Sequence, residues 1–284
     1  MITGKTKVVG VIGHPIEHSM SPPMHNNAYE QLGMDYTYVA FHVLPENIDK
    51  LIDSCKTLDI VGLNVTIPHK TSVIPYLDEI DETAKRIGAV NTIQFKNGIA
   101  KGYNTDGIGA IKSIQEYTDL TDKDVLIVGA GGASKAISFT MINENINSLI
   151  IVNRSEDNAQ KLIENIKKQT DFTNIMYQPI NDASDVMGDV DIIINTTPIG
   201  MYPKHEVEPP IKTDQITDRH VVMDIIYNPF ETELLKQSRL NGATTINGTS
   251  MLINQGLVSF EIFTGKQATY KSFEDALLDQ LKQE

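Results

Sequence analysis

The sequence predicts an α/β fold in two domains, the second of them a doubly wound parallel sheet. Three observations lead there. Short β-rich apolar runs alternate with stretches of helical period, the pattern of α/β architecture. The length, 284 residues, is that of two ordinary domains. Near the middle a buried strand runs through a glycine-rich turn into a helix and opens a series of βαβ units.

In chain order, Val8–Ile12 and Tyr36–Phe41 read as strands. Between them Ser21-Pro22-Pro23 opens a helix, with Ser21 as N-cap and Pro22 at the first helical position. Glu46–Lys56 places Ile48, Leu51, Ile52 and Cys55 on one helical face. Val61–Thr66 is a strand running into Pro68, and Asp81–Ile87 a short helix. Ala89–Phe95 and Ile99–Tyr103 form a hairpin across Lys96-Asn97-Gly98. Gly107–Tyr117 is the next helix. Strands follow at Asp124–Val128, Ser148–Asn153, Ile175–Gln178, Val190–Asn195, Val221–Ile225 and Ala243–Asn247, with helices at Gly132–Asn143 and Ser155–Lys168. The tail from Ser250 is helical. Leu252–Phe263 is apolar nearly all round, and Phe273, Ala276, Leu277 and Leu281 give a last amphipathic face that could pack back on the first domain. The expected domains are 1–106 with 249–284, and 107–248.

Composition narrows the function. The net charge is −13, which argues against nucleic acid or an anionic membrane as the main partner, since a phosphate backbone selects a basic footprint. Any anionic ligand must be held by local cations and backbone N–H groups. One cysteine, Cys55, excludes an intrachain disulfide. No window approaches a membrane span, and the N-terminus lacks the layout of a secretion signal, so a cytoplasmic protein is expected. His14 and His18 have i, i+4 spacing, but Pro15 lies between them and no carboxylate-rich partner motif accompanies them; no metal is expected.

The cofactor signal is the run Gly129-Ala130-Gly131-Gly132-Ala133-Ser134 after a strand and before a helix. Glycines at 129 and 131 allow a sharp turn and let N–H groups approach a pyrophosphate at the positive end of the helix. The third position of the pattern is Ser134 instead of Gly or Ala. The next strand ends in Asn153-Arg154-Ser155, where an Asp or Glu would suit NAD. A guanidinium and a hydroxyl suit a 2′-phosphate, so NADP is expected. The second domain is therefore of the Rossmann type.

The first half carries polar residues in loops after strands: Ser19, Ser21, Asn64, Thr66, Lys70, Asn91 and Asp106. Each has an ordinary use as a cap, a turn residue or a surface charge. Together they suit a small polyhydroxylated acid, which needs donors for its carboxylate, partners for its hydroxyls and one proton-transfer group.

These residues also carry a resemblance. His18-Ser-Met-Ser-Pro22, Asn64-Val-Thr-Ile-Pro-His-Lys70, Gly88-Ala-Val-Asn-Thr92, Gly102-Tyr-Asn-Thr-Asp-Gly107, Gly129–Ser134, Asn153-Arg-Ser155, Asn195-Thr-Thr-Pro-Ile-Gly-Met201, Asp224-Ile-Ile-Tyr-Asn-Pro229 and Met251-Leu-Ile-Asn-Gln-Gly256 resemble the motifs of the shikimate dehydrogenase family, in the family's order along the whole chain. The resemblance implies NADPH-linked, reversible reduction of 3-dehydroshikimate to shikimate on the route to chorismate and the aromatic amino acids. It implies that Ser19 and Ser21 hold the substrate carboxylate, that Asn64, Thr66, Asn91, Tyr227 and Gln255 meet the substrate, and that Lys70 and Asp106 are the catalytic pair. Gly129, Ala130, Gly131, Gly132, Ala133 and Ser134 would cradle the pyrophosphate, and Asn153, Arg154 and Ser155 the 2′-phosphate. Thr196, Met201, Ile225, Gly248 and Met251 would complete the cofactor site, Met201 and Gly248 flanking the nicotinamide.

The sequence departs from the family at three places. Asn158 is neutral where the family often has a second basic residue; Gly248-Thr-Ser250 replaces Gly-x-Gly; and His69 stands at an often apolar position, with no role assigned. A quinate/shikimate dehydrogenase using NAD stays open as an alternative, as does a nonenzymatic NADP-binding regulator on the same fold. The protein is expected as a monomer or homodimer.

Overall fold

The structure, a computed structural model, describes residues 2–282 and divides the chain into two compact units. One takes the chain up to Thr105 and again from Ile253; the other is Asp106–Leu252. Asp106 and residues 249–252, expected in the first domain, thus cluster with the second.

The first unit holds β1 (Lys7–Gly13), α1 (Ser21–Gln31), β2 (Tyr36–His42), α2 (Ile48–Thr57), β3 (Gly62–Val65), β4 (Glu79–Ile80), α3 (Glu82–Ile87), β5 (Thr92–Lys96) and β6 (Ile99–Tyr103). Its sheet runs β2-β1-β3-β5-β6-β4. β1 pairs in parallel with β2 and β3, and the β5–β6 hairpin joins antiparallel to β3. The hairpin's first strand starts at Thr92, three residues after the expected Ala89. Backbone N–H groups ahead of it are already engaged: Val90 donates to the Lys70 carbonyl at 2.7 Å and Asn91 to that of Tyr103 at 3.0 Å. Ile12, Ile48, Ile52, Cys55, Leu63, Val65, Val90 and Ile93 share one core, where α2 buries its apolar face. Each such side chain contributes about 1.5–3 kcal/mol.

Ser21 is the first residue of α1, and Met20 occupies the N-cap position with no side-chain cap bond. The expected cap is therefore corrected: the helix starts at Ser21 itself, so its side chain stands one position too late to cap it. Asn26, one turn into α1, pins β2 from the side, its Nδ2 donating to the Tyr38 carbonyl (2.9 Å) and its Oδ1 accepting the Tyr38 N–H (2.8 Å).

The second unit holds α4 (Asp106–Gln115), β7 (Asp124–Val128), α5 (Gly132–Ile142), β8 (Ser148–Asn153), α6 (Glu156–Gln169), β9 (Ile175–Pro179), β10 (Ile192–Asn195), β11 (Val221–Asp224), α7 (Glu233–Leu240) and β12 (Thr244–Ile246). All its strands are parallel in the order β12-β11-β10-β7-β8-β9, so chain order reverses direction at β7, between β8 and β10. Leu126, Val128, Val152, Ile193, Val222 and Leu234 belong to its core. Gly107 lets α4 and α5 touch: a Cβ there would lie 2.0 Å from Thr140 Oγ1. Residues 196–220 cross from β10 to β11 without a helix.

α8 (Gly248–Thr264) starts in the second unit and ends in the first, where α9 (Tyr270–Leu281) packs on α1. Among the described residues no helix is long and apolar enough to cross a membrane.

Candidate active site

In the first unit three of the expected substrate residues fall on one run of hydrogen bonds. The phenol of Tyr38 donates to Asn64 Oδ1 at 2.7 Å. Asn64 Nδ2 donates to Thr92 Oγ1 at 3.0 Å, and Thr92 to Asn91 Oδ1 at 3.0 Å. Asn91 Oδ1 also accepts the Thr105 N–H (2.8 Å), while Asn91 Nδ2 donates to Thr105 Oγ1 (2.9 Å). Thr105 Oγ1 donates to Gln255 Oε1 at 3.4 Å. From Tyr38 through Asn64 and Thr92 to Asn91 the side-chain donors point one way, and the Thr105 N–H on Asn91 Oδ1 answers from the other side, which fixes the orientation of both asparagine amides. Tyr38, Thr92, Asn64, Asn91 and Thr105 are buried. Burial holds the Tyr38 phenol well above its usual range, so it stays a neutral donor.

Strand ends place these groups. Asn64 is near the end of β3, Asn91 precedes β5 and Thr105 follows β6; these are neighbouring strands. Ser19 lies in the loop before α1, its Oγ accepting the Ser21 N–H at 3.4 Å. Thr66 and Lys70 belong to the turn after β3. That turn is tied twice: the Lys70 carbonyl accepts from Val90, and His69 Nε2 bonds the Val43 carbonyl at 2.7 Å. His69, given no role from sequence, is fully buried and anchors the residue next to Lys70.

In the second unit the glycines separate by function. Gly129 has φ +110, and a Cβ on it would come within 2.5 Å of Thr196 Oγ1, so its role is internal. Gly131 and Gly132 have nothing within 4 Å of a built Cβ; their missing side chains leave open room at the helix start. The Lys135 N–H is the first to close onto the helix, on the Gly131 carbonyl, with the N–H groups of Gly132, Ala133 and Ser134 ahead of it. This is a cradle suited to a pyrophosphate.

Several expected cofactor residues are used by the fold itself. Ser134 is buried with its hydroxyl turned into the protein, so only its backbone can face a phosphate. Thr196 Oγ1 donates to the Val128 carbonyl at 2.7 Å. Ser155 caps α6 through the Asn158 N–H, and Asn153 Nδ2 donates to the Ser155 carbonyl. Arg154 is exposed and makes no ion pair among the described residues, as a phosphate ligand requires. Met201 is exposed on the long crossing. Gly248 sits where a Cβ would lie 2.1 Å from the Ile225 carbonyl, which explains the glycine by close packing. Ile225, Tyr227 and Met251 are half-buried in this unit. Tyr227 and Asp106, the first residue of α4, thus stand on the second unit, while the other expected substrate residues stand on the first.

Sequence reasoning did not single out Tyr38, Thr92, Thr105 or Asp224. Asp224 ends β11 fully buried, and burial raises its carboxyl to about 6.

Comparison with known proteins decides the lineage. Residues 11–93 match the shikimate dehydrogenase substrate binding domain, 111–230 the shikimate / quinate 5-dehydrogenase family, and 248–278 the shikimate 5'-dehydrogenase C-terminal domain. The chain belongs to the shikimate dehydrogenase family. Among members of that family, the shikimate dehydrogenase (NADP(+)) of Methanosphaera stadtmanae is 70% identical over 99% of this chain and 100% of its own. The crystal structure of a shikimate dehydrogenase in complex with NADP+ superposes with a TM-score of 0.94 at 48% identity, covering 99% of this chain and 97% of that one. A shikimate 5-dehydrogenase from Listeria monocytogenes, in complex with shikimate and NAD, gives 0.92 at 34% identity, covering 97% and 98%.

Proposed function

We propose that this protein is an NADP-dependent shikimate dehydrogenase, a cytoplasmic oxidoreductase reducing 3-dehydroshikimate to shikimate reversibly. The observation that carries the reading is the 70% identity to a shikimate dehydrogenase (NADP(+)) across the full length of both chains. The hydrogen-bonded run from Tyr38 to Gln255 supports a ligand with many hydroxyls, because Asn64, Asn91 and Gln255 on it are residues assigned to the substrate.

Bound nicotinamide supplies the hydride exchange with a substrate ring carbon. The chain's own residues bind, orient and move the proton. Ser19 and Ser21 take the carboxylate; Asn64, Thr66, Asn91, Tyr227 and Gln255 fix the ring through its hydroxyls. Lys70 as an ammonium gives a proton to the oxygen of the reacting carbon, and as an amine takes it back in the reverse direction. The assignment of Lys70 and Asp106 to this step rests on the motif match. Gly131 and Gly132 leave room for the pyrophosphate, and Arg154 meets the 2′-phosphate.

The test is the absorbance of reduced nicotinamide with shikimate as substrate, with NADP and NAD in parallel, and with quinate as the competing acid. Turnover of shikimate with NADP at the highest kcat/KM is expected. Nucleotide binding without turnover would sink the reading.

A further inference from the structure

The strand order assigns the two halves of a dinucleotide. With the glycine turn at the end of β7, Arg154 at the end of β8 marks the adenosine side, and the loops after β10 and β11 lie on the other side of β7, where the nicotinamide half belongs. Those loops converge on one carboxylate. Asp224 Oδ1 accepts from Asn195 Nδ2 and from the Ile226 N–H, both at 3.1 Å; Oδ2 accepts from Thr232 Oγ1 at 2.8 Å. Each donor belongs to a different piece. Asn195 ends β10, and its Oδ1 accepts the N–H and hydroxyl of Thr197 at 3.0 and 2.7 Å. Ile226 continues β11, and its carbonyl accepts the Gly248 N–H that starts α8, at 3.0 Å. Thr232 caps α7 through the Leu235 N–H.

Asp224 makes no ion pair among the described residues and is fully buried. A buried carboxylate without a cation is costly, and a well-packed apolar side chain is usually no worse for stability. Here three donors from three segments aim at one carboxylate, whose two oxygens answer all of them at once. The residues assigned to the cofactor in these loops, Thr196, Ile225 and Gly248, are chain neighbours of groups in this knot.

We infer that Asp224 is a positioning residue for the nicotinamide half of the cofactor site: it holds the β10 and β11 loops and the start of α8 in register without touching the cofactor. The inference rests on the NADP reading above and deepens it.

The test uses the full chain and two ligands: NADPH, and adenosine 2′,5′-bisphosphate, which lacks the nicotinamide half. Asp224→Asn keeps the shape but removes the charge and sets an amide donor against Thr232, whose hydroxyl must then turn from donor to acceptor. Its affinity for NADPH should fall about tenfold, the scale of a lost bond to a charged group, while the bisphosphate binds within about twofold of wild type. Thr232→Val should shift the same ratio in the same direction, and Thr232→Ser should restore it; these carry the test if Asp224→Asn does not fold. Equal weakening of both ligands, or an unchanged NADPH affinity, would overturn the inference. A wild-type protein that binds neither ligand would instead overturn the cofactor reading beneath it, and the inference with it.

Discussion

The Tyr38 phenol donates to Asn64 Oδ1 at 2.7 Å, joining β2 to β3 across the strand between them. Tyr38→Phe removes the bond and nothing else of the ring. Asn64 Oδ1 is then buried without its donor, which costs about 1–3 kcal/mol. Because Asn64 is assigned to the substrate, KM for shikimate should rise roughly tenfold, the equivalent of one such bond, with kcat changing less. Urea denaturation and steady-state kinetics read the two effects separately. A stability loss with an unchanged KM would make Tyr38 a core residue only.

Lys70 should behave differently. Its turn is held by the backbone bond from Val90 and by His69 on Val43, neither of which uses the lysine side chain. Lys70→Ala should leave these two ties of the turn in place and lower kcat by ~10²-fold or more, the scale of a lost acid–base group. A kcat near wild type would remove Lys70 from proton transfer.

The pH dependence of stability should centre on His25. It stacks on Tyr38 at 4.3 Å and meets Phe273 edge-on, fully buried, and burial lowers its imidazole to about 3. An unfolded histidine titrates near ~6.5. Between about pH 3 and 6.5 the unfolded chain binds the extra proton, so the contribution is complete above 6.5 and lost as pH falls. At pH 5 the loss is roughly 2 kcal/mol. Asp224 acts in the opposite sense: with its carboxyl raised to about 6, its contribution is complete below the ordinary carboxylate range and fades as pH rises through 6. Comparing wild type with His25→Phe at pH 7 and pH 5 cancels the Asp224 part. Wild type should lose about 2 kcal/mol more than the variant on acidification. Equal losses would show that His25 does not set the acid limit.

How much of this was legible in the sequence depends on the range of each interaction. The parallel strands of the second unit were legible because a run such as Val125–Val128 is apolar throughout and the glycine turn follows it directly. α7 was missed although Thr232 caps it and Leu234 and Leu235 face the core, because eight residues give too short a period to stand out. Tyr38 reads as one more aromatic in a strand; its partner Asn64 is 26 residues away, and only the parallel path from β2 through β1 to β3 brings them together. Ser21 misled because a serine before two prolines is a ready N-cap, yet the helix begins at Ser21 itself and its side chain makes no cap bond. Ser134 misled in another way: it follows the glycine turn, but α5 turns its side chain inward.

The glycine turn offers the sharpest separation of fold from cofactor. Gly131 has φ −89 and ψ −167, a conformation open to any residue, and a methyl there meets nothing within 4 Å. Gly131→Ala should keep the melting temperature within about 2 °C of wild type. If the pyrophosphate lies against this turn, the same methyl occupies its place, and NADPH affinity should fall by about 10²-fold through lost close approach of the helix N–H groups. Gly129→Ala should show the reverse order of effects. Its φ of +110 disfavours a side chain, and the methyl would press on Thr196 Oγ1, which is already bonded to Val128. A stability loss of about 1–3 kcal/mol is expected there. Nucleotide titration and thermal melts on the two variants decide the matter, because a Gly131→Ala protein that binds NADPH normally would put the pyrophosphate somewhere other than this turn.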